Sequence, residues 1–460
     1  MAINLGTGPP AAEEFVTIPQ SESLDASLAR LADNTGFGFF LLATAVLLVR
    51  PADSIPALYN EPIYYFVISA CLCLSIPRLL GQFKPQSRAR PITQLIFAYW
   101  VCIILSHLVR GSLWDIRTGG VAFLKLFVYY LLILSWADSP PRLRQFMLCL
   151  CACSLAQTIV GWLQYDAWIN LPTLRSIEQI TNVGSGDPST VRRLCGIGIF
   201  DDPNDLCVLL VVSMALCIGF IGYRKIGRLR FGWFLPLGFA AYTIALTRSR
   251  SGFLSLLGSI GTLLWARYGR GRAVLVGAVL LPVLFLAFAG RQTHVDLYSR
   301  DDTFQTRLDY WSDSLELFKT SPIFGVGPNQ QMELSGHVAH NSFIQSFAEV
   351  GFVGGACFLG AFVMAIRAVY RTNIRDADPE LARLQPVFLA IVVGYAIGLM
   401  ALSRDYAATT YLVLGLTAAY INLTPRARPL RLDSGFLQRL VVASVLFIAA
   451  TYLFVRIMVT

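Results

Sequence analysis

Charged residues are scarce in this sequence: they fill 14% of its 460 positions, while 55% are hydrophobic and the mean hydropathy is +0.59. A soluble chain carries roughly a quarter charged residues to cover its surface, so lipid rather than water must solvate much of this protein. No Walker loop, dinucleotide fingerprint, HExxH or serine-nucleophile elbow is present, which leaves ATP-driven transport unsupported. The ten cysteines form no disulfide framework. Most lie inside apolar runs, Cys149, Cys151 and Cys153 alternate instead of sharing a helix face, and only Cys195 falls in an outer loop. They read as small packing residues, not metal ligands. The first 35 residues lack the charged-then-apolar build of a cleavable signal. Glu13, Glu14, Glu22, Asp25 and Asp33 make that stretch an acidic cytoplasmic tail, disordered or lying on the surface.

What the sequence does have is apolar runs long enough to cross a bilayer, about 20 residues each. Candidate spans fall at 36–49, 62–77, 93–109, 118–136, 145–164, 204–222, 232–247, 252–266, 273–289, 343–366, 385–402, 407–423 and 437–456. The expected fold is an all-α polytopic transmembrane bundle of about 12–13 spans, a single membrane domain over 36–460. Lys and Arg sort onto alternate loops. Arg78, Lys84, Arg88 and Arg90, then Arg142 and Arg144, then Arg224, Lys225, Arg228 and Arg230 share one side. Arg267, Arg270 and Arg272, then Arg367, Arg371 and Arg375, then Arg426, Arg428 and Arg431 continue it. The positive-inside rule makes that side cytoplasmic and explains the net charge of +9 without nucleic acid. Two long loops, about 165–203 and 290–342, face outward.

Those outer loops carry arginines where that rule calls for none: Arg192, Arg193, Arg291, Arg300, Arg307 and Arg404, with Arg250 in the turn Thr247–Gly252. Guanidinium binds diphosphate bidentately, so such a cluster suits an anionic lipid-linked ligand; contact with lipid headgroups is the plainer reading. The second outer loop runs into His340, after which Asn341, Gln345 and Glu349 follow at steps of four and stack on one helix face. Polar groups inside a span are costly, so this stripe should face the bundle interior or a wet cavity, with an outer arginine as the partner of Glu349. His340, at its mouth, could accept a proton from a sugar hydroxyl or hydrogen-bond it. The run Asp201–Asp205 could hold a divalent cation, but it reads better as a helix start: Asp202 as N-cap, Pro203 in the first position, Asp205 closing a capping box.

Taken in order, these segments resemble the O-antigen ligase and polymerase superfamily of bacterial polysaccharide enzymes. The resemblance rests on His340-Asn341 followed by Gly351 and Gly354, on Thr247-x-Ser249-Arg250-Ser251-Gly252, and on Arg307-x-x-x-Trp311 followed by Ser321–Gly327. The Asp202–Asp205 helix start belongs to the same pattern, and the whole covers mainly residues 190–360. It implies a GT-C-like glycosyltransferase of the bacterial inner membrane, inverting and metal-independent, with no cofactor. The donor would be an undecaprenyl-diphosphate-linked glycan, the acceptor a glycan or lipid. Arg250 and Arg307 would neutralise the diphosphate leaving group and His340 would activate the acceptor hydroxyl. Arg193, Arg404, Glu349, Asn341 and Gln345 are substrate-binding candidates. The motifs do not separate polymerase from ligase; the absence of a ligase-specific feature tilts the reading toward polymerase. A lipid-linked oligosaccharide flippase or other secondary transporter is the alternative, but it predicts charge deep in several spans, whereas here ionisable residues gather at the outer mouth. A non-catalytic scaffold leaves the Asn341/Gln345/Glu349 line unexplained.

Overall fold

The computed structural model describes residues 24–59, 61–82, 87–171, 174, 177–181, 189–288, 303–425 and 430–459. The first half of the chain forms α1 (Leu24–Val49), α2 (Pro51–Ser54), α3 (Ile63–Gln82), α4 (Arg90–Val109), α5 (Leu113–Trp136) and α6 (Pro140–Tyr165). A short antiparallel ribbon of β1 (Ile177–Thr181) and β2 (Ser189–Arg193) follows, with Glu178 opposite Arg192. Then come α7 (Pro203–Ile221), α8 (Phe234–Thr247), α9 (Arg250–Ala287), α10 (Thr303–Thr320) and α11 (Gln330–Ser335). The chain closes with α12 (Ser342–Tyr370), α13 (Pro379–Leu399), α14 (Ala408–Leu423) and α15 (Ser434–Val459). This is an all-α polytopic membrane protein.

Eleven of these helices are long and apolar enough to cross a membrane, and α14 is a shorter apolar helix. α9 counts once among the eleven, yet its 38 residues would reach about 57 Å, nearly twice a bilayer core. It does not run straight: Gly269, at φ 76°, breaks it into two passes joined by a turn bearing Arg267, Arg270 and Arg272. Adding that second pass and α14 gives the thirteen expected from hydropathy. The acidic tail is corrected at its end: residues 24–35 are already the first turns of α1, because Asp33 is tied to Arg78 and Arg142 and Asp138 meets Arg78 at 2.6 Å. Residues 1–23 lie outside the described residues.

Small residues let the central helices approach closely. The Ser255 hydroxyl of α9 donates to the Gly394 carbonyl of α13 at 2.7 Å, and a Cβ on Gly394 would meet Ser259 at 2.7 Å. α12 is also interrupted: Gly351, at φ 74°, ends a first half-helix, Ser342–Val350, before the long pass begins. A helix break inside a membrane protein must have its freed backbone groups satisfied. The segment Pro322–Gly327 does this. Val326 and Gly327 donate to the carbonyls of Ala348 and Glu349 (3.0 and 2.8 Å), Phe352 donates to Pro322 at 2.8 Å, and Ser106 of α4 donates to Glu349 at 3.0 Å.

The interlock leaves no room for a side chain. A Cβ on Gly325, at φ 75°, would lie 2.3 Å from the Glu349 backbone, whereas Gly336, at φ 76°, has open space. Gly325→Ala should therefore lower thermal stability and activity together, well beyond Gly336→Ala, which suffers only left-handed backbone strain of about 1–2 kcal/mol. Equal shifts in the unfolding midpoints of the two purified variants would refute the interlock.

Candidate active site at the outer mouth

Three helix N-termini meet at one end of the bundle: those of α7, α9 and α12. Asp202 caps α7, its Oδ1 accepting from the Asn204 N–H at 2.6 Å, with Pro203 in the first position. Ser249 caps α9 by accepting from the Gly252 N–H at 3.0 Å. Asn341 caps α12, accepting from Phe343 and Ile344 at 3.1 and 3.2 Å. The Asn204 side chain joins the first two ends. Its Oδ1 accepts from Ser249 Oγ (2.6 Å), Ser251 Oγ (3.3 Å) and Arg193 Nη2 (3.0 Å). Arg193 also donates through Nε to the Thr247 carbonyl at 3.0 Å, so it is held beside the turn that carries Arg250.

β2 decides which of two adjacent arginines joins the site. Successive strand residues point to opposite faces. Arg193 turns inward and is 7% exposed, whereas Arg192 lies over the Tyr165 ring at 4.9 Å and reaches the Gln164 carbonyl. Of the other outer arginines, Arg291 and Arg300 fall outside the described residues.

Arg307 enters from α10. One turn on, Tyr310 stacks on His337 with ring centroids 3.9 Å apart and lies 5.9 Å from the His340 ring. Leu308 and Leu315 anchor the helix against Val455 of α15. Arg307 feels both Arg250 and Arg193, with Asp202 as the opposing charge; burial, reinforced by those two arginines, holds it below the usual guanidinium range. Its buried Nε meets no acceptor. Arg193 is likewise lowered by burial, against the pull of Asp202. His340 occupies a left-handed backbone conformation, φ 48°, uncommon for a residue with a side chain and a reason to look for function. Burial lowers its imidazole below the usual range, with Arg307 and Arg404 acting the same way and Asp202 opposing.

Arg404 plays a different part from the one expected of a ligand-binding arginine. Its Nε donates to Asp205 Oδ1 at 2.7 Å, its Nη2 meets Oδ2, and its Nη1 donates to the Ser403 carbonyl at 2.9 Å. Asp205 therefore turns away from the capping box expected of it. The Arg404 N–H donates to Ser342 Oγ at 2.8 Å, and that hydroxyl donates to the Leu402 carbonyl at 2.5 Å. The pair thus fastens the start of α7 to the start of α12, two residues past His340.

Glu349 is also corrected. It is fully buried, and among the described residues no arginine reaches it; Gln345 Nε2 and the Gln331 N–H approach its two oxygens at 3.4 Å each. Asp405 lies within electrostatic reach. Asp405 is itself buried and pushed up to about 7 by that burial; Tyr99 donates to it at 3.1 Å. Gln331 Oε1, Gln345 Oε1 and Asp405 Oδ1 are buried acceptors that no donor reaches. This acidic chamber lies beneath the histidine turn instead of lining the arginine cluster.

A mouth with three arginines, three helix N-termini and a neutral imidazole suits transfer of a group from an anionic carrier. Residues 235–359 match the family model of O-antigen ligase. The matched segment is 125 of the chain's 460 residues, and over it the chain is similar to the O-antigen ligases. The matched segment runs from α8 into α12 and contains Arg250, Arg307 and His340, with Asn341, Gln345 and Glu349. Arg193, Asp205 and Arg404 lie outside the matched segment and reach the mouth through the folded chain. No curated protein matches the chain. The match supports a ligase- or polymerase-type activity for this multi-pass membrane protein.

Proposed function

We propose that the protein transfers a glycan from undecaprenyl diphosphate to an acceptor hydroxyl at the extracytoplasmic face of the bacterial inner membrane, as a repeat-unit polymerase. The observation that carries this reading is the gathering of Arg193, Arg250 and Arg307 with His340, where Asp202 is the opposing carboxylate among the described residues. Three cations of one sign so close together call for an anion of more than one charge. A lipid diphosphate fits, and a guanidinium already fixed in place stabilises charge growing on the leaving oxygen without reorganisation.

In the proposed step the acceptor oxygen bonds to the anomeric carbon as the bond from that carbon to the diphosphate oxygen breaks. The hydroxyl proton passes to His340, and undecaprenyl diphosphate leaves against Arg250 and Arg307. Attack opposite the leaving group inverts the anomeric centre, and the arginines take the place a metal would fill. Asn341 Oδ1 is occupied in capping, and Gln345 and Glu349 lie in the chamber below. Their contribution is to shape the His340 turn.

A base that works as neutral imidazole loses activity only when it is protonated. Because His340 is lowered from 6.5, the acid limb of the pH–rate profile should lie below pH 6.5. Removing a neighbouring charge with Arg307→Gln should move the limb of the residual activity upward. A limb that stays fixed would separate His340 from the arginine field.

The test of the reaction is the profile of polysaccharide and lipid-linked intermediates in a deletion strain complemented with wild type, Arg250→Ala or His340→Ala. Single repeat units on the acceptor or carrier identify a polymerase; long chains stranded on the lipid diphosphate identify a ligase. Full restoration by both variants would overturn the site and favour a transporter or a scaffold.

A further inference from the structure

Two grooves lie away from the candidate site, each with arginine at its edge. One, of about 540 Å³, runs between the two passes of α9; Ile260, Leu264, Ala278 and Leu281 line it, and Arg270 stands at its end. The other, of about 470 Å³, lies between α9, α12 and α13; Thr262, Val363, Leu389 and Val393 line it, with Arg367 and Arg371 beside them. Trp265 borders both grooves and stacks on Tyr370 at 5.5 Å, forming the ridge between them.

Among the described residues Arg270, Arg367 and Arg371 make no ion pair. The carboxylate whose field reaches Arg367 is Asp433, which accepts from the Phe436 N–H at 2.7 Å, and it is outweighed there by Arg371 and Arg439. The acids between α12 and α13 are engaged elsewhere: Glu380 with Arg144 and Lys225, Asp378 as the cap of α13, Asp376 with Asn373. We propose that the two grooves bind an anionic diacylphospholipid of the cytoplasmic leaflet. Its phosphate rests against Arg270, Arg367 and Arg371, and its two chains lie in the grooves on either side of Trp265. Any acyl chain would enter such grooves. Cationic groups at their mouth, near the membrane surface, select a headgroup with net negative charge.

Native mass spectrometry of the full-length protein, titrated with phosphatidylglycerol or phosphatidylethanolamine, tests this directly. Wild type is expected to retain phosphatidylglycerol preferentially, and Arg367→Gln/Arg371→Gln to lose about fivefold of that preference per arginine. Arg224→Gln/Arg228→Gln removes the same charge on the same side away from the grooves and should keep it. Gly277→Leu, at a position with open space above it in the first groove, should weaken retention by filling the channel without a clash. No preference in wild type, equal loss in both double variants, or unchanged retention in Gly277→Leu would each overturn the site. None of these readouts depends on glycan transfer.

Discussion

Arg307→Ala is expected to cut glycan transfer by about a hundred- to a thousandfold while the protein remains folded in the membrane. The side chain is half-buried, meets Arg250 and Arg193 electrostatically, and among the described residues leaves its buried Nε without an acceptor. Structurally it is a poor neighbour: removing it relieves repulsion among like charges, so the unfolding midpoint should hold or rise. Loss of activity without loss of stability marks a group kept for the reaction and not for the fold. Arg307→Lys keeps the charge but not the forked geometry, and should recover only part of the rate. A variant that loses stability and activity in parallel would make Arg307 a structural residue.

Asp205→Ala should have the largest effect on stability among the residues around the mouth. It would leave Arg404, 36% exposed, without the carboxylate that its guanidinium grips, while Asp202 still acts on it electrostatically. Removing one partner of a buried ion pair costs about 3–5 kcal/mol; partial exposure here brings the expectation to roughly 2–4 kcal/mol. Asp205→Asn/Arg404→Gln replaces both partners and should recover much of that loss in the unfolding midpoint. If the double variant is merely as unstable as the two singles combined, the pair is not coupled. The single variants should also slow transfer, because Arg404 and Ser342 fix the turn that presents His340.

Why hydropathy located the spans is plain: the cost of placing a residue in lipid sums over about 20 positions, and single errors average out. Even the break at Gly269 was marked, since a glycine among arginines separates two apolar runs. The candidate site was legible in kind but not in connection. Arg250, Arg307 and His340 carry recognisable local patterns. Asp205 and Arg404 stand 199 positions apart and have no local signature, so the sequence offered Asp205 as a helix cap and Arg404 as a free cation. Glu349 shows the same limit. Helical spacing correctly stacked it with Gln345 and buried it, but its neighbours Gln331 and Asp405 come from other segments. The choice of Arg193 over Arg192 depended on a strand that a largely apolar helical pattern did not announce. Likewise, Ser321–Gly327 and Gly351 each looked like separate motifs; the fold makes them the two sides of one backbone interlock.

The central claim is that arginines neutralise a departing lipid diphosphate while His340 takes the acceptor proton. Its most direct test is single-turnover transfer by the purified protein in nanodiscs, with a labelled undecaprenyl-diphosphate glycan and a metal chelator present. Wild type should form one new glycosidic linkage for each undecaprenyl diphosphate released. With the same amount of donor loaded into the bilayer, His340→Ala and Arg307→Ala should fall by at least about a hundredfold in both products. Transfer at the wild-type rate by either variant, or transfer abolished by the chelator, would contradict the account.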